Sequence, residues 1–277
     1  MAKHLDNNNN NKTNRQNICV NIISDKFSKT RAKSLLKYIA NKIPNYKRFN
    51  KILFHDINKV NKQIEHLLPT LKKHFTYNSN SYYSRSLFFT SLAAHRYFAD
   101  IDKLIFLDID IQFNDNIEKL YGQFSEFSDD ALIGIAYEQQ PVYWHIMHEY
   151  RRKVHNKTDL GSPPPNGWPG FNSGVLLMNL QRMRVSKLFN DQLLSTKFVD
   201  NICQKYYFGG HLGDQDFYTV TSFDYRYLFH VLPCNWNRQL CQWWRYHGYR
   251  DIFDLYFKCD LKIKLFHGNC NSGLPSI

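Results

Sequence analysis

Four short stretches of the 277-residue chain hold side chains whose types and spacing suit chemistry at a sugar or a phosphate. Asp108-Ile109-Asp110 directly follows the apolar run Leu104–Leu107. Carboxylates at i and i+2 on the last pleat of a strand point to the same side. Paired hard oxygens there favour Mg2+ or Mn2+, and a divalent cation relieves their mutual repulsion. The plainer alternative is two acids in a turn, capping the next helix. Phe171-Asn172-Ser173-Gly174-Val175 precedes the apolar Leu176–Met178 and offers polar contacts to a bound sugar, or ordinary turn chemistry. Leu212-Gly213-Asp214-Gln215-Asp216-Phe217 reads as a helix N-terminus, with Asp214 suited to the cap position. Gln215 is a poor nucleophile, but its amide is suited to orienting a group or steadying charge. In His267-Gly268-Asn269-Cys270 the imidazole is a nitrogen donor for Mn2+, and Gly268 allows close backbone approach to a phosphate.

Around these lie segments suited to shaping a pocket. Trp236, Trp243 and Trp244 fall close in sequence to Arg245, Tyr246 and Tyr249. Aromatic faces stack on the C–H faces of sugars, although a core or a lid is the simpler use. Residues 161–170 (GSPPPNGWPG) form a rigid loop, able to border a pocket or merely to connect elements. Residues 104–110 are also similar to the first motif of aspartate-nucleophile phosphatases. Gln112 stands where that motif has Thr or Val, and the stretch lies far from the chain's start.

The elements that must position these residues read as alternating strands and helices. Short β-branched or apolar runs predict strands at Ile18–Ile23, Lys51–His55, Ala131–Ala136 and Gly174–Asn179, with Lys103–Leu107 as a buried one. Helical spacing runs over residues 27–42, Val60–Leu68 and Tyr83–Ala99. This alternation argues for an α/β fold with a mostly parallel sheet, binding ligands beyond the carboxyl ends of its strands. No apolar run approaches the length of a membrane span.

The net charge of +12 is uneven, since fourteen of the 36 basic residues, against three acids, fall in residues 1–62. Lys29, Arg31, Lys33, Lys37 and Lys42 read as a solvated helix face. No zinc-finger, RNP-type or recognition-helix signature accompanies them, so a nucleic-acid partner is not expected. Asn7–Asn11 suggests a disordered lead-in over residues 1–17, with no visible signal peptide or anchor. Cys234, Cys241, Cys259 and Cys270 lack the C-x-x-C pairs of zinc ribbons and read as two disulfides. Three connectivities are open, and we expect the interleaved Cys234–Cys259 and Cys241–Cys270. Disulfides imply an oxidising compartment. Asn11-Lys-Thr13 and Asn156-Lys-Thr158 are glycosylation sequons.

In order, a strand ending Leu-Asp-Ile-Asp, then Phe-Asn-Ser-Gly, Gly-Asp-Gln-Asp and a late His-Gly, the chain resembles the family 8 retaining glycosyltransferases of the GT-A fold. The resemblance spans roughly Ile18 to Pro275 and is densest from Ala131 onward. The segments DLGSPPPNGWPGFNSGVLLMNL, GGHLGDQDFYT, CNWNRQLCQWWRYHGY and HGNCN are similar to the branch that extends O-glucose glycans with xylose. The resemblance implies a single GT-A domain over 18–277, Rossmann-like with a mostly parallel sheet flanked by helices. Residues 18–130 would be its nucleotide-binding half. Residues 131–277 would be its acceptor-binding half, with a disulfide-pinned segment at 234–270. It implies UDP-xylose as donor and Mn2+ as cofactor, with Mg2+ possible in its place. The implied acceptor is a xylosyl-glucose O-glycan on epidermal-growth-factor-like repeats, extended in α-1,3 linkage. Residence in the endoplasmic reticulum lumen, behind an anchor not visible in this chain, is implied as well.

Carried onto this sequence, Asp108, Asp110 and His267 are the implied metal ligands, and Gln215 and Asp214 the implied catalytic pair. Ile23, Ser24, Asp25, Asp108, Ile109, Ser173, Leu212, Gln215 and Gly268 border the donor. Gln140, Tyr143, Trp243, Trp244 and Asn269 are the acceptor-side candidates. The implied mechanism is front-face attack with Gln215 facing the sugar, while the proline-rich loop and the Trp segment exclude water. The competing readings are a sister transferase with another sugar or acceptor, such as a glucoside xylosyltransferase, and an inactive carbohydrate- or peptide-binding module.

Overall fold

The computed structural model describes residues 18–42, 49–78 and 85–276. The expected lead-in over 1–17, with its asparagine run and first sequon, lies outside the described residues. The chain opens with strand β1 (Ile18–Ser24), helix α1 (Lys26–Ala40) and strand β2 (Phe49–Asp56), followed by α2 (Ile57–Asn61), α3 (Leu68–Phe75) and α4 (Thr90–Tyr97). Next come β3 (Lys103–Leu107), β4 (Ile111–Phe113), α5 (Ile117–Gly122), β5 (Ile133–Tyr137), α6 (Val142–Ile146) and α7 (His148–Lys153). The remainder is β6 (Phe171–Asn179), α8 (Leu180–Val185), α9 (Thr196–Tyr206), α10 (Asp214–Asp224), β7 (Phe229–Leu232), β8 (Arg238–Gln239), α11 (Arg250–Phe257) and β9 (Leu265–His267).

Two expected helices are divided. The stretch over 60–68 resolves into α2, a 3-10 turn at Lys62–Ile64 and then α3. Pro69 lacks the N–H that a helix interior needs and is tolerated in the first turn, so a new helix begins around it. The stretch over 83–99 is a 3-10 turn at Ser86–Phe89 followed by α4, with Tyr83 and Ser84 outside the described residues. Helix α1 is capped by Asp25, whose carboxylate accepts from the Ser28 N–H, and buries none of its residues. Arg31, Lys33, Lys37 and Lys42 are exposed, as a solvated face requires.

The main sheet has the order β3-β6-β5-β7. It is mixed rather than mostly parallel: β6 runs antiparallel to both β3 and β5, while β5 and β7 are parallel. The excursion between β5 and β6 leaves the sheet at Tyr137 and re-enters beside it at Phe171, so the chain must return in the opposite direction. Strands β1 and β2 form a separate parallel pair, and β4-β9-β8 make a third small sheet. Strand β6 is central and buried on both faces. Leu176 and Met178 join the cluster that also holds Leu71, Phe89, Phe217 and Tyr218, whereas Val175 and Leu177 join Leu120, Phe124 and Trp236 on the other side. That alternation is the period of a strand. At the sheet's edge, β3 is only half-buried, a correction to the buried strand expected there. Its free edge faces β1 across a cleft of about 2530 Å³.

Candidate functional site

The carboxyl end of β3 opens into this cleft. The Asp108 N–H donates to the Gly174 carbonyl, tying the first acid to β6. Strand β4 then pairs with β9 in a register that sets Ile111 opposite His267. The two acids therefore face one imidazole, with His267 Nε2 3.5 Å from Asp108 Oδ2 and 3.6 Å from Asp110 Oδ1. One ligand atom from each of the three lies within 4.8 Å of the others, close enough to share one cation. His267 is buried while both carboxylates are open to the cleft. Gly174 makes the approach possible, because a Cβ there would collide with the His267 ring. Behind the ring, Nδ1 faces Asn237 Oδ1 at 3.1 Å. An amide oxygen only accepts, so Nδ1 carries a proton and Nε2 is the nitrogen turned to the acids. One imidazole nitrogen and two carboxylates form a donor set that suits a divalent cation such as Mn2+.

Beside the triad, α10 begins at Gly213, whose φ of 71° and contact with the Phe88 backbone exclude a side chain. Asp214 is therefore not the cap expected of it but lies one position inside the helix. Its carboxylate accepts from Ser91 Oγ and from Ser173 Oγ (2.9 Å). Asp216 reaches back to the Leu212 N–H (2.6 Å) and accepts from the Tyr143 hydroxyl (2.9 Å). Gln215 lies between them: its Oε1 accepts from the Ser173 N–H (3.2 Å), and its Nε2 donates to Glu138 Oε2 (3.2 Å) and to the Tyr143 hydroxyl (3.3 Å). Burial pushes Glu138, Asp214 and Asp216 up to about 7, against the opposing pull of their hydrogen bonds. Phe171-Asn172-Ser173-Gly174 forms the first part of β6 itself rather than a turn before it.

The cleft brings together Ile23, Ser24, Asp25, Asp108, Ile109, Asp110, Gln140, Ser173, Leu212, Asp214, Gln215, Trp243, Trp244, His267 and Asn269. Two expected members are elsewhere. Tyr143 is fully buried under Gly170 and Phe208, where its hydroxyl serves Asp216, so it is a supporting core residue and not an acceptor contact. Gly268 is off the cleft lining. Its N–H donates to the Asp110 carbonyl (2.8 Å), and the Ser272 carbonyl would lie 2.8 Å from a Cβ there. Trp236 is likewise core. The proline-rich loop is no shield: Trp168 is pinned by Ser222 Oγ (2.8 Å), and the Gly161 carbonyl by the Tyr256 hydroxyl, outside the cleft.

The segment bearing Trp243 and Trp244 does border the cleft, and its disulfides are Cys234–Cys259 and Cys241–Cys270, as expected. Asn269 Oδ1 accepts from the Leu240 and Cys241 N–H groups, fixing the segment's start. Trp243 stacks on His247, while Trp244 packs against Tyr249 and His145. Each disulfide closes a loop whose entropy in the unfolded chain corresponds to about 3–4 kcal/mol. Cys241→Ser with Cys270→Ser should therefore lower the melting temperature by several degrees. A thermal melt of the double variant beside the wild type would show it.

Sequence reasoning missed Glu138, Asn237 and Ser91. Glu138 carried a readable signal, since it follows the apolar run Ala131–Ala136 at a strand's carboxyl end as Asp108 does. Asn237 and Ser91 carried none, because their partners are remote in sequence.

The family described as "Glycosyl transferase family 8" matches residues 55–241. Over 257 residues, 92% of this chain, the sequence is 43% identical to mouse (Mus musculus) "Xyloside xylosyltransferase 1", and the human (Homo sapiens) protein of that name shares the same identity and coverage. The chain spans 64% of the length of these curated relatives. "Glucoside xylosyltransferase 1" of Danio rerio is 28% identical over half of the chain. The apo crystal structure of mouse xyloside xylosyltransferase 1 superimposes with a TM-score of 0.85, covering 93% of this chain and 86% of that one. With the α/β architecture, the Asp-Asp-His group at the end of an edge strand and a match over residues 55–241, the chain belongs to glycosyl transferase family 8.

Proposed function

We propose that the protein is a retaining xylosyltransferase that moves xylose from UDP-xylose in α-1,3 linkage to the terminal xylose of a xylosyl-glucose O-glycan on epidermal-growth-factor-like repeats. The observation that carries this reading is the Asp108, Asp110 and His267 group opening beside Gln215 into one large cleft, in a chain 43% identical to xyloside xylosyltransferases over most of its length. Residues 18–130 would hold the nucleotide, along Ile23, Ser24 and Asp25, and residues 131–277 the acceptor. Asp108, Asp110 and His267 would hold Mn2+, which supplies charge neutralisation at the diphosphate as UDP departs.

The chain's own residues do the rest. Ser173, Leu212 and Gln215 border the donor sugar, with the amide of Gln215 facing the oxocarbenium-like charge that develops on it. The acceptor hydroxyl attacks the anomeric carbon from the face that UDP leaves. The carbon–phosphate-oxygen bond breaks as the new glycosidic bond forms, and the hydroxyl proton passes to the departing phosphate oxygen. Trp243 and Trp244 exclude water, whose attack on the donor would compete. Asp214 is held by two serine hydroxyls, which favours a role in shaping the donor pocket over one as nucleophile.

The test is UDP release with Mn2+ over a panel of UDP-sugars, with and without a xylosyl-glucoside. Acceptor-stimulated release from UDP-xylose alone supports the reading. Stimulation by a plain glucoside instead would assign the sister reaction, and silence across the panel in folded, oxidised protein would favour a binding module.

We place the protein in the endoplasmic reticulum lumen, a reading supported by its two disulfides. Among the described residues, no helix is long and apolar enough to cross a membrane. Asn156 of the second sequon is exposed on a left-handed turn after α7. Expressed through the secretory pathway, the protein should lose one glycan's mass at this position on treatment with an N-glycosidase, and Asn156→Gln should remove that shift.

A further inference from the structure

We propose that Glu138 is the positioning residue that holds the amide of Gln215 and, through Asn172 and Asn237, the ring of His267 in one shared orientation. The assignment of Gln215 and His267 to the reaction rests on the function proposed above; the hydrogen-bond chain does not. Glu138 is fully buried at the end of β5, and all three hydrogen bonds to its carboxylate come from side-chain amides. Oε2 accepts from Gln215 Nε2 (3.2 Å) and from Asn172 Nδ2 (3.1 Å), and Oε1 from Gln140 Nε2 (3.4 Å). These hydrogen bonds favour the ionised form of the carboxylate, which only accepts, so each of these amides turns its NH2 group inward and its oxygen away.

The consequence runs in two directions. At Gln215 the oxygen is turned to the Ser173 N–H, on the side bordering the cleft. Flipping the amide would set NH2 against N–H and oxygen against carboxylate, two repulsive contacts in a buried site. At Asn172 the oxygen is turned to Asn237 Nδ2 (2.9 Å), with the Gly174 N–H as a second donor. Asn237 must then present its own oxygen to His267 Nδ1, which leaves Nε2 facing Asp108 and Asp110. Every link has one donor and one acceptor with a fixed sense, and Glu138 is the acceptor-only end. Backbone N–H groups of β6 pin the oxygens, and Glu138 pins the opposite sides of the same amides.

The test combines a double-mutant cycle with a readout that needs neither metal nor substrate. Glu138→Ala should lower kcat at least tenfold with the donor KM within about threefold. Glu138→Gln, which keeps one acceptor oxygen, should fall between it and wild type. In a Gln215→Ala background, Glu138→Ala should cost clearly less than it does in the wild type, because one of the two arms it orients is gone; fully multiplicative losses would overturn the proposal. In the metal-free protein, 15N shifts of His267, assigned by their loss in His267→Asn, should report a proton on Nδ1. A ring without a proton on Nδ1 in the wild type would overturn the chain whatever the kinetics show. If Glu138→Ala fails to fold, the isosteric Glu138→Gln carries the cycle. A wild type that transfers no sugar would sink the proposed function, while the His267 spectrum would still decide the hydrogen-bond chain.

Discussion

Asp110→Asn should abolish sugar transfer, by a factor on the order of a thousand or more, while leaving the melting temperature of the metal-free protein unchanged or slightly raised. Asp108 and Asp110 stand on one side of a strand end, and both are substantially exposed. Each contributes little packing, and their like charges repel. Replacing one carboxylate with its neutral isostere removes that repulsion and costs the fold nothing that a melt would detect. The same exchange strips a charged hard-oxygen donor from a group that has only two, which weakens a divalent cation severely. The discriminating measurement is the melt with and without Mn2+. Ligand at a hundred times its dissociation constant stabilises the folded state by about 2.7 kcal/mol. Wild type should gain several degrees and Asp110→Asn little or none. His267→Ala is a poorer probe, because it also empties the space beneath Gly174 and orphans Asn237. A variant that melts normally, gains stability from Mn2+ and still transfers sugar would remove Asp110 from the site.

What was legible in the sequence is what local pattern encodes. β-branched and apolar runs marked β1, β2, β3, β5 and β6 to within a few residues, and the Asp108-Ile109-Asp110 spacing correctly placed both acids on one side of a strand end. Strands β4, β8 and β9 span two or three residues each, too short to show periodicity, yet they deliver His267 to the acids. The direction of β6 was not readable either, since it depends on where the excursion over 138–170 re-enters the sheet. Tyr143 and the proline-rich loop were misplaced for a related reason. Aromatic and proline-rich segments serve a core as well as a pocket, and only the remote partners Asp216, Gly170, Ser222 and Tyr256 decide which. The buried amide chain behind the site joins residues from five separate parts of the sequence, so no local window contains it.

Gln215→Ala should lower turnover on the order of a hundredfold while changing the donor KM by less than about threefold. Gln215 is almost wholly buried, and both ends of its amide are occupied by Ser173, Glu138 and Tyr143. An amide held this firmly costs no reorganisation when charge develops beside it, and loss of one preorganised polar group of this kind typically costs about a hundredfold to a thousandfold in rate. The ground-state sugar carries little charge, so its binding has less to lose, which separates turnover from KM. The truncation also leaves Glu138 with one donor fewer, a stability cost of about 1–3 kcal/mol that a thermal melt should register. Gln215→Glu supplies the contrast. A carboxylate introduced there faces Glu138 at hydrogen-bond distance, so one of the pair must hold a proton. In its neutral form the introduced acid would bridge to Glu138 yet present different chemistry to the cleft, and this variant should fail to restore turnover. If Gln215→Ala leaves turnover unchanged, the amide is only a packing element between Asp214 and Asp216, and the charge on the departing sugar must be met by another group.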